Sequence, residues 1–77
     1  MKFDANKVNA LRRIYPDGTR VELVNMADDP RPVPPGTKGT VVGVDDFGHL
    51  LMCWDNGSTL NLIYGVDEFD KIYDDEK

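Results

Sequence analysis

The segment Asp55-Asn56-Gly57-Ser58 constrains the fold most, because it is a turn signal between two strand-forming runs. An Asn-Gly pair favours a two-residue type I′ turn, since both residues tolerate a left-handed backbone. The flanking residues 49–55 and 59–64 are rich in apolar and β-branched side chains. The segment therefore predicts a tight antiparallel β-hairpin.

Three further segments carry the pattern of short strands. Residues 20–26 alternate apolar and polar side chains, and residues 38–44 are rich in Val, with Gly43 as a predicted bulge or close backbone approach. Residues 69–73 predict a short closing edge strand after a single helical turn. Residues 27–37 hold four Pro, two Asp and one Gly, which indicates a long, stiff loop.

Before the first strand, residues 5–14 predict a short amphipathic helix. Asp4 is a candidate N-cap, and Val8, Leu11 and either Ile14 or Tyr15 follow at helical spacing. A proline and an Asp-Gly pair then end the helix. Because so short a helix is marginal in isolation, we expect its apolar stripe to dock on the rest of the domain.

Five short strands with a long loop after the first predict a mainly β fold, a five-stranded SH3-like barrel at about 18–73. Barrel closure would remove most exposed sheet edges. The 77 residues suffice for one domain, with the helix in front and an acidic tail at 74–77. The expected core consists of apolar side chains that alternate along the strands: Val21, Leu23, Val42, Val44, Leu50, Met52, Trp54, Leu60, Leu62, Phe69 and Ile72.

No catalytic set of residues emerges from the sequence. The single His49 and single Cys53 lie on one face of a predicted strand, roughly 13 Å apart at about 3.3 Å per residue, which is too far for a Cys-His pair. No group of residues has metal-ligand spacing. We therefore expect no enzyme activity, no cofactor, no metal and no small-molecule substrate.

The sequence also bears on location. The longest uncharged apolar run is residues 50–54, far shorter than the roughly 20 residues that span a bilayer. The first residues lack the apolar region of a signal peptide, and a lone cysteine suits a reducing compartment. These features predict a cytoplasmic protein without a membrane partner.

Charge is divided unevenly along the chain. The first 38 residues carry seven Lys and Arg against five acids, whereas the remainder carries two against nine, for a net charge of −5. Net acidity disfavours nucleic-acid binding, although a local basic face would suffice for it. The residues that would form such a face, if the fold brings them together, are Arg12, Arg13, Arg20, Arg31 and Lys38.

The third strand suggests a protein-binding face. With Leu50, Met52 and Trp54 pointing inward, Leu51 and Cys53 point outward, beside Ile63 of the next strand. Such an apolar face needs a cover, which is either the N-terminal helix, a second copy of the chain or a partner protein. The proline-rich loop is a second candidate, so the predicted protein-binding residues are Arg31, Pro32, Pro34, Pro35, Leu51, Cys53 and Ile63. The aromatic residues are too few and too scattered along the sequence to indicate a peptide groove.

Several motifs together resemble a small bacterial family of uncharacterised proteins. They are Gly-Thr-Arg-Val-Glu-Leu from Gly18, Pro-Pro-Gly-Thr-Lys-Gly from Pro34, Trp-Asp-Asn-Gly-Ser from Trp54 and Gly-Val-Asp from Gly65. The family is classified as a domain of unknown function and is expected in Gram-positive bacteria and their mobile elements. The resemblance implies a cytoplasmic SH3-like barrel and brings no substrate, catalytic residue or cofactor with it.

Two looser resemblances concern function. Residues 38–44 are similar to the KOW motif of ribosomal proteins and transcription elongation factors, in which glycines let the backbone approach RNA or protein. The same segment with Trp-Asp-Asn-Gly is similar to the peptide-binding barrels of Mind-bomb-type ubiquitin ligases. The leading hypothesis is a non-enzymatic module that binds a protein or itself. The alternatives are a KOW-like nucleic-acid-binding protein and an acidic mimic of DNA.

Overall fold

The computed structural model describes residues 5–26 and 30–73. These residues form one helix and five strands: α1 (Ala5–Ile14), β1 (Arg20–Asn25), β2 (Lys38–Val44), β3 (His49–Trp54), β4 (Leu62–Ile63) and β5 (Glu68–Ile72). The order of elements and the bounds of α1 and β2 are as predicted. The N-cap predicted at Asp4, the acidic tail and part of the proline-rich loop lie outside the described residues. No helix in the described ranges is long and apolar enough to cross a membrane.

All five strands form one antiparallel sheet in the order β4-β3-β2-β1-β5. Strands β2, β3 and β4 are joined as consecutive hairpins, whereas β5 returns across the sheet to pair with β1. The sheet is not closed into the predicted barrel, because β4 and β5 form its two edges. The turn between these edge strands makes only an isolated bridge, between Tyr64 and Asp67.

One face of the sheet forms the core together with the helix. Its buried side chains are Val8, Leu11, Val21, Leu23, Met26, Val33, Val41, Val44, Leu50, Met52, Trp54 and Leu62. The prediction of Val42 as a core residue is wrong, because Val42 is 52% exposed and Val41 is fully buried instead. The pairing of β2 with β3 shifts between Val41 and Gly43, so the predicted bulge at this point turns Val42 outward.

Three other predicted core residues are less buried than expected. Leu60 and Phe69 are only partly buried and pack against the core from its margin. Ile72 is half-buried and pairs with Arg20, opposite the core side of the sheet. Phe69 and Ile72 are three residues apart on one strand, so the alternation of side chains prevents both from facing inward.

Helix α1 packs on the core side of the sheet. Val8 and Leu11 are buried in the core, whereas Ile14 is 47% exposed. The Arg12 guanidinium donates a hydrogen bond to the Val44 carbonyl at 2.9 Å, and Lys71 Nζ donates to the Ile14 carbonyl at 2.8 Å. Arg12 thus ties the last turn of α1 to β2, whereas Lys71 reaches from β5 and satisfies a carbonyl at the C-terminal end of the helix. The helix therefore covers the core and not the outer face of the sheet.

The β3–β4 hairpin exists, but its loop has three residues rather than the predicted two. Trp54 N donates to the Ser58 carbonyl and Gly57 N donates to the Trp54 carbonyl, both at 2.9 Å. Gly57 has a φ of 93°, the left-handed conformation that closes a three-residue loop. The Asn56 side chain instead accepts a hydrogen bond from Ser58 N at 3.0 Å, as Asn side chains often do in turns.

Side chains also shorten β4 from the predicted 59–64 to two residues. Trp54 Nε1 donates a hydrogen bond to the Leu60 carbonyl at 2.8 Å. Met52 N donates to the Asn61 side-chain oxygen at 3.4 Å, where a regular hairpin would offer a backbone carbonyl. Only Leu62 and Ile63 then pair with β3.

The Trp54 ring lies directly against the backbone of Gly39, its partner on β2. A Cβ at Gly39 would lie 2.6 Å from Trp54 Cε3 and 3.1 Å from Met52 Cε. No side chain fits there, because the interior is closely packed. This glycine of the Pro-Pro-Gly-Thr-Lys-Gly motif therefore makes room for an internal ring.

We predict that Gly39→Ala lowers the free energy of unfolding by about 1–3 kcal/mol, because it overpacks the Trp54 ring. Gly43→Ala is the matched control, since its Cβ would lie 3.5 Å from Leu51 Cδ1, an ordinary contact. Urea unfolding followed by Trp fluorescence measures both variants. Equal stability of the two variants would show that the contact with Trp54 is not a constraint.

Candidate functional site

The outer face of the sheet, opposite the core, carries the apolar residues that the sequence placed there. Ile63 is 42% exposed, Cys53 is exposed and Leu51 is half-buried. Val42 joins them through the bulge in β2. Because α1 lies on the core side, it does not cover this face, and the intramolecular cover by α1 that the sequence allowed is wrong.

The proline-rich loop is held on the other side of the sheet. Arg31, Pro32, Pro34 and Pro35 are exposed, but Val33 between them is 2% exposed and belongs to the core. The loop ends in two backbone hydrogen bonds with the middle of β1. The structure thus anchors the loop on the core side, whereas Leu51, Cys53 and Ile63 point away from the core.

Arg12 and Arg20 each bind a carboxylate, and Lys38 lies beside the Asp55 carboxylate that Arg20 binds. Arg20 donates to both oxygens of Asp55, at 2.9 and 2.7 Å, and to the Thr40 hydroxyl at 3.0 Å. Arg12 contacts Asp46 at 3.3 Å and lies beside Val44. Val44 is four residues after Thr40 on β2, which corresponds to about 13 Å at about 3.3 Å per residue. Arg13, Arg31 and Lys38 are exposed. Arg12 and Arg20 therefore do not share one phosphate-binding cluster.

Three aromatic rings from separate parts of the chain converge where α1, the β4–β5 turn and β5 meet. The ring centroids of Tyr15 and Phe69 are 5.6 Å apart, those of Tyr15 and Tyr64 6.3 Å, and those of Tyr64 and Phe69 6.4 Å. The interplanar angles, from 57° to 69°, are typical of tilted and edge-on contacts. We call the depression beside these rings the aromatic groove.

A buried carboxylate fixes the turn that carries Tyr64. Asp67 is 7% exposed, and its Oδ2 accepts a hydrogen bond from Ile63 N at 2.9 Å. Asp67 N in turn donates to the Ile63 carbonyl at 2.9 Å. The first bond gives the buried carboxylate a donor, and the two bonds together fix the turn that contains Tyr64.

The aromatic groove has a volume of about 490 Å³ and opens to solvent. Its lining consists of Tyr15, Val24, Tyr64, Gly65, Asp67, Glu68, Phe69 and Asp70. Three of these residues are acidic and none is basic. A second apolar cleft, of about 220 Å³ and lined by Lys7, Ala10, Leu11, Ile14 and Tyr64, adjoins the groove at Tyr64. Together the two depressions run from β5 to the exposed side of α1.

The surroundings of Tyr15 favour its neutral phenol. Burial, and after it the neighbouring Tyr64, raise the pKa of the Tyr15 phenol, so this ring stays uncharged. Lys71 lies next to the groove, with Nζ 5.9 Å from the Tyr15 ring centroid. This ammonium is held by the Ile14 carbonyl at the C-terminal end of α1.

Within the described residues, no group of three or more His, Cys, Asp or Glu side chains is placed to hold a metal ion. His49 contacts Asp45 at 3.5 Å, and its ring lies 6.2 Å from that of Phe47. Asp45 Oδ1 is itself the acceptor for the backbone N–H groups of Phe47 and His49, both at 2.9 Å. These contacts stabilise the β2–β3 turn.

Sequence reasoning missed the aromatic groove. Tyr15 and Tyr64 were among the scattered aromatic residues, and Phe69 was assigned to the core. The short connection from β4 to β5 was a signal that Tyr64 and Phe69 lie close together. The position of Tyr15 depends on how α1 docks, which no local pattern reveals.

The fold and the groove define a small, mainly β domain with a shallow aromatic and acidic surface depression. Residues 4–72 match the family described as a domain of unknown function, DUF4314, and the chain belongs to this family. Membership of a family of unknown function is thereby confirmed. Comparisons with curated proteins and with solved structures gave no match.

We predict that the Asp55 carboxyl titrates below the ordinary aspartate pKa of about 3.9. The hydrogen bonds from Arg20 are the main reason that the Asp55 pKa is lowered, and Lys38 contributes least. Carbon-detected NMR titration of the carboxyl measures this pKa. Arg20→Gln should return it toward 3.9, whereas the control Lys38→Gln should raise it less.

The sign of the linked stability follows from the lowered pKa. A depressed pKa in the folded state means that the contribution of Asp55 is present above its unfolded pKa and is lost as the pH falls through its folded pKa. Asp55→Asn should remove this part of the acid dependence. An Asp55 pKa at or above the ordinary value would contradict the ion pair with Arg20.

Proposed function

We propose that this domain is a non-enzymatic interaction module of the SH3-like type, and that it binds a segment of a partner protein in the aromatic groove. The SH3-like assignment is supported by five short strands in one antiparallel sheet, with a long loop after β1 and one turn between β4 and β5. The convergence of Tyr15, Tyr64 and Phe69 on an open groove is the observation that carries the proposal. Exposed aromatic side chains are frequent anchors of protein interfaces.

The shape of the surface favours a peptide over a small molecule. Small-molecule sites enclose most of their ligand, whereas the aromatic groove is open and continues into the cleft along α1. Tyr64, 55% exposed, lines both depressions and stands at their centre. An extended chain segment can contact β5, Tyr64 and α1 in succession.

The other candidates have less support. Nucleic-acid binding needs cations available for phosphate, but the Arg12 and Arg20 guanidiniums already bind Asp46 and Asp55. The KOW-like glycine Gly39 lies under Trp54 and is not available to a ligand. The outer face with Leu51, Cys53 and Ile63 is apolar, and these residues line neither the aromatic groove nor the cleft along α1. Peptide binding at this outer face is an outcome that the following experiment distinguishes.

Selection from a random peptide library displayed on phage, with the immobilised domain as bait, tests the proposal. We predict that selected peptides bind the wild-type domain with micromolar affinity and bind Tyr64→Ala at least about tenfold more weakly, which is a loss of about 1.4 kcal/mol. Fluorescence anisotropy with labelled peptides measures the affinities. Amide NMR spectra confirm that the variants fold.

Tyr73→Ala is the matched control, because Tyr73 is 79% exposed and does not line the groove. Its affinity should equal that of the wild type. A selection without enriched peptides, or peptides that bind Tyr64→Ala as well as the wild type, would refute the groove as the binding site. Peptides weakened only by Ile63→Lys would assign binding to the outer face instead.

A further inference from the structure

The charged side chains that line the aromatic groove are all acidic: Asp67, Glu68 and Asp70. One oxygen of Asp67 accepts a hydrogen bond from the Ile63 N–H, and the carboxylate adds negative charge below the surface of the groove. Glu68 and Asp70 are exposed on β5, on either side of Phe69. As alternate residues of one strand, they lie about 7 Å apart. Strand alternation directs their side chains away from the side of β5 that carries the Phe69 ring, so they lie at the rim of the groove, where solvent reaches both carboxylates.

A bulge supplies the apolar floor of the same groove. The pairing of β1 with β5 shifts between Leu23 and Asn25, which oppose Phe69 and Glu68 respectively. Val24 has no partner in this register, is 45% exposed and lines the groove. A ligand that lies between Val24 and the rings thus contacts apolar surface at the floor of the groove and carboxylates at its rim.

The position of Lys71 indicates that these rings attract cations. Its ammonium group lies 5.9 Å from the Tyr15 ring centroid, within the range of a cation–π interaction. It is held by the Ile14 carbonyl at 2.8 Å and does not line the groove. The Tyr15 ring of the cluster is thus already next to a cation.

We propose that the peptide bound in the aromatic groove is anchored by a basic side chain, an arginine or a lysine. Its aliphatic stem lies on Val24 and the rings of Tyr64 and Phe69, and its charged head lies between Glu68 and Asp70. This inference rests on the proposed function, since it names the chemistry of the ligand at the same groove. The net charge of −5 also attracts basic partners from a distance.

The basic anchor is tested with acetylated and amidated heptapeptides of the sequence Gly-Pro-Leu-X-Leu-Pro-Gly, in which X is Arg, Lys, Gln or Glu. We expect the Arg and Lys peptides to bind about threefold to tenfold more tightly than the Gln peptide, from a cation–π contact and exposed ion pairs. The Glu peptide should bind most weakly. Titration of the labelled domain, followed by amide NMR shifts, gives the affinities and locates the peptide.

Asp70→Asn with Glu68→Gln should abolish the preference for the Arg and Lys peptides over the Gln peptide. The control Asp46→Asn removes a carboxylate charge at the β2–β3 loop, away from the groove, and should leave the preference intact. Rising salt should weaken binding of the Arg peptide and not of the Gln peptide. These outcomes support a basic anchor.

Equal affinity for all four peptides at the groove would overturn the basic anchor and leave the groove as a peptide site. Loss of binding for every peptide, together with a library selection that yields none, would instead refute the proposed function. Free arginine amide is included as a further probe. Binding of arginine amide as tight as that of the Arg peptide would overturn the assignment to a peptide and identify a small cation as the ligand.

Discussion

The contact between the Trp54 ring and the bare backbone of Gly39 is the constraint on which the sheet depends. The ring is 2% exposed and lies over one end of the β2–β3 pair, where any side chain at position 39 would displace it. Its indole N–H donates a hydrogen bond to the Leu60 carbonyl, so the chain just after the hairpin loop does not form the regular backbone pairing with β3. The two-residue length of β4, and with it the start of the turn toward β5, follow from the placement of this side chain.

The aromatic groove is a consequence of that early end of β4. The chain must travel from one edge of the sheet to the other, and Asp67 holds the turn through both of its hydrogen bonds with Ile63. Tyr64 is thereby set beside β5, and α1 brings Tyr15 from the opposite direction. Each ring comes from a segment that is fixed for a structural reason, so the groove is preformed and a ligand need not order it.

Much of the fold could be predicted from local patterns, and the groove could not. Periodicity and turn residues located α1 and all five strands, because helix and strand periods are properties of short segments. The assignment of Val42 to the core failed because a bulge reverses alternation, and the signal for it, Gly43, does not reveal which neighbour turns inward. The pairing of Tyr15 with Phe69 depends on packing between segments more than fifty residues apart, which no local pattern encodes.

A crystal structure of the domain with its tightest selected peptide tests the central claim most directly. We expect a basic side chain of the peptide on the Tyr64 ring, with its charged group beside Glu68 and Asp70 and the peptide backbone continuing along α1. The domain itself should keep the ring arrangement of the unbound protein. A peptide bound to the outer face, at Leu51 and Ile63, or an aromatic groove that is rearranged on binding, would refute the basic anchor in a preformed groove.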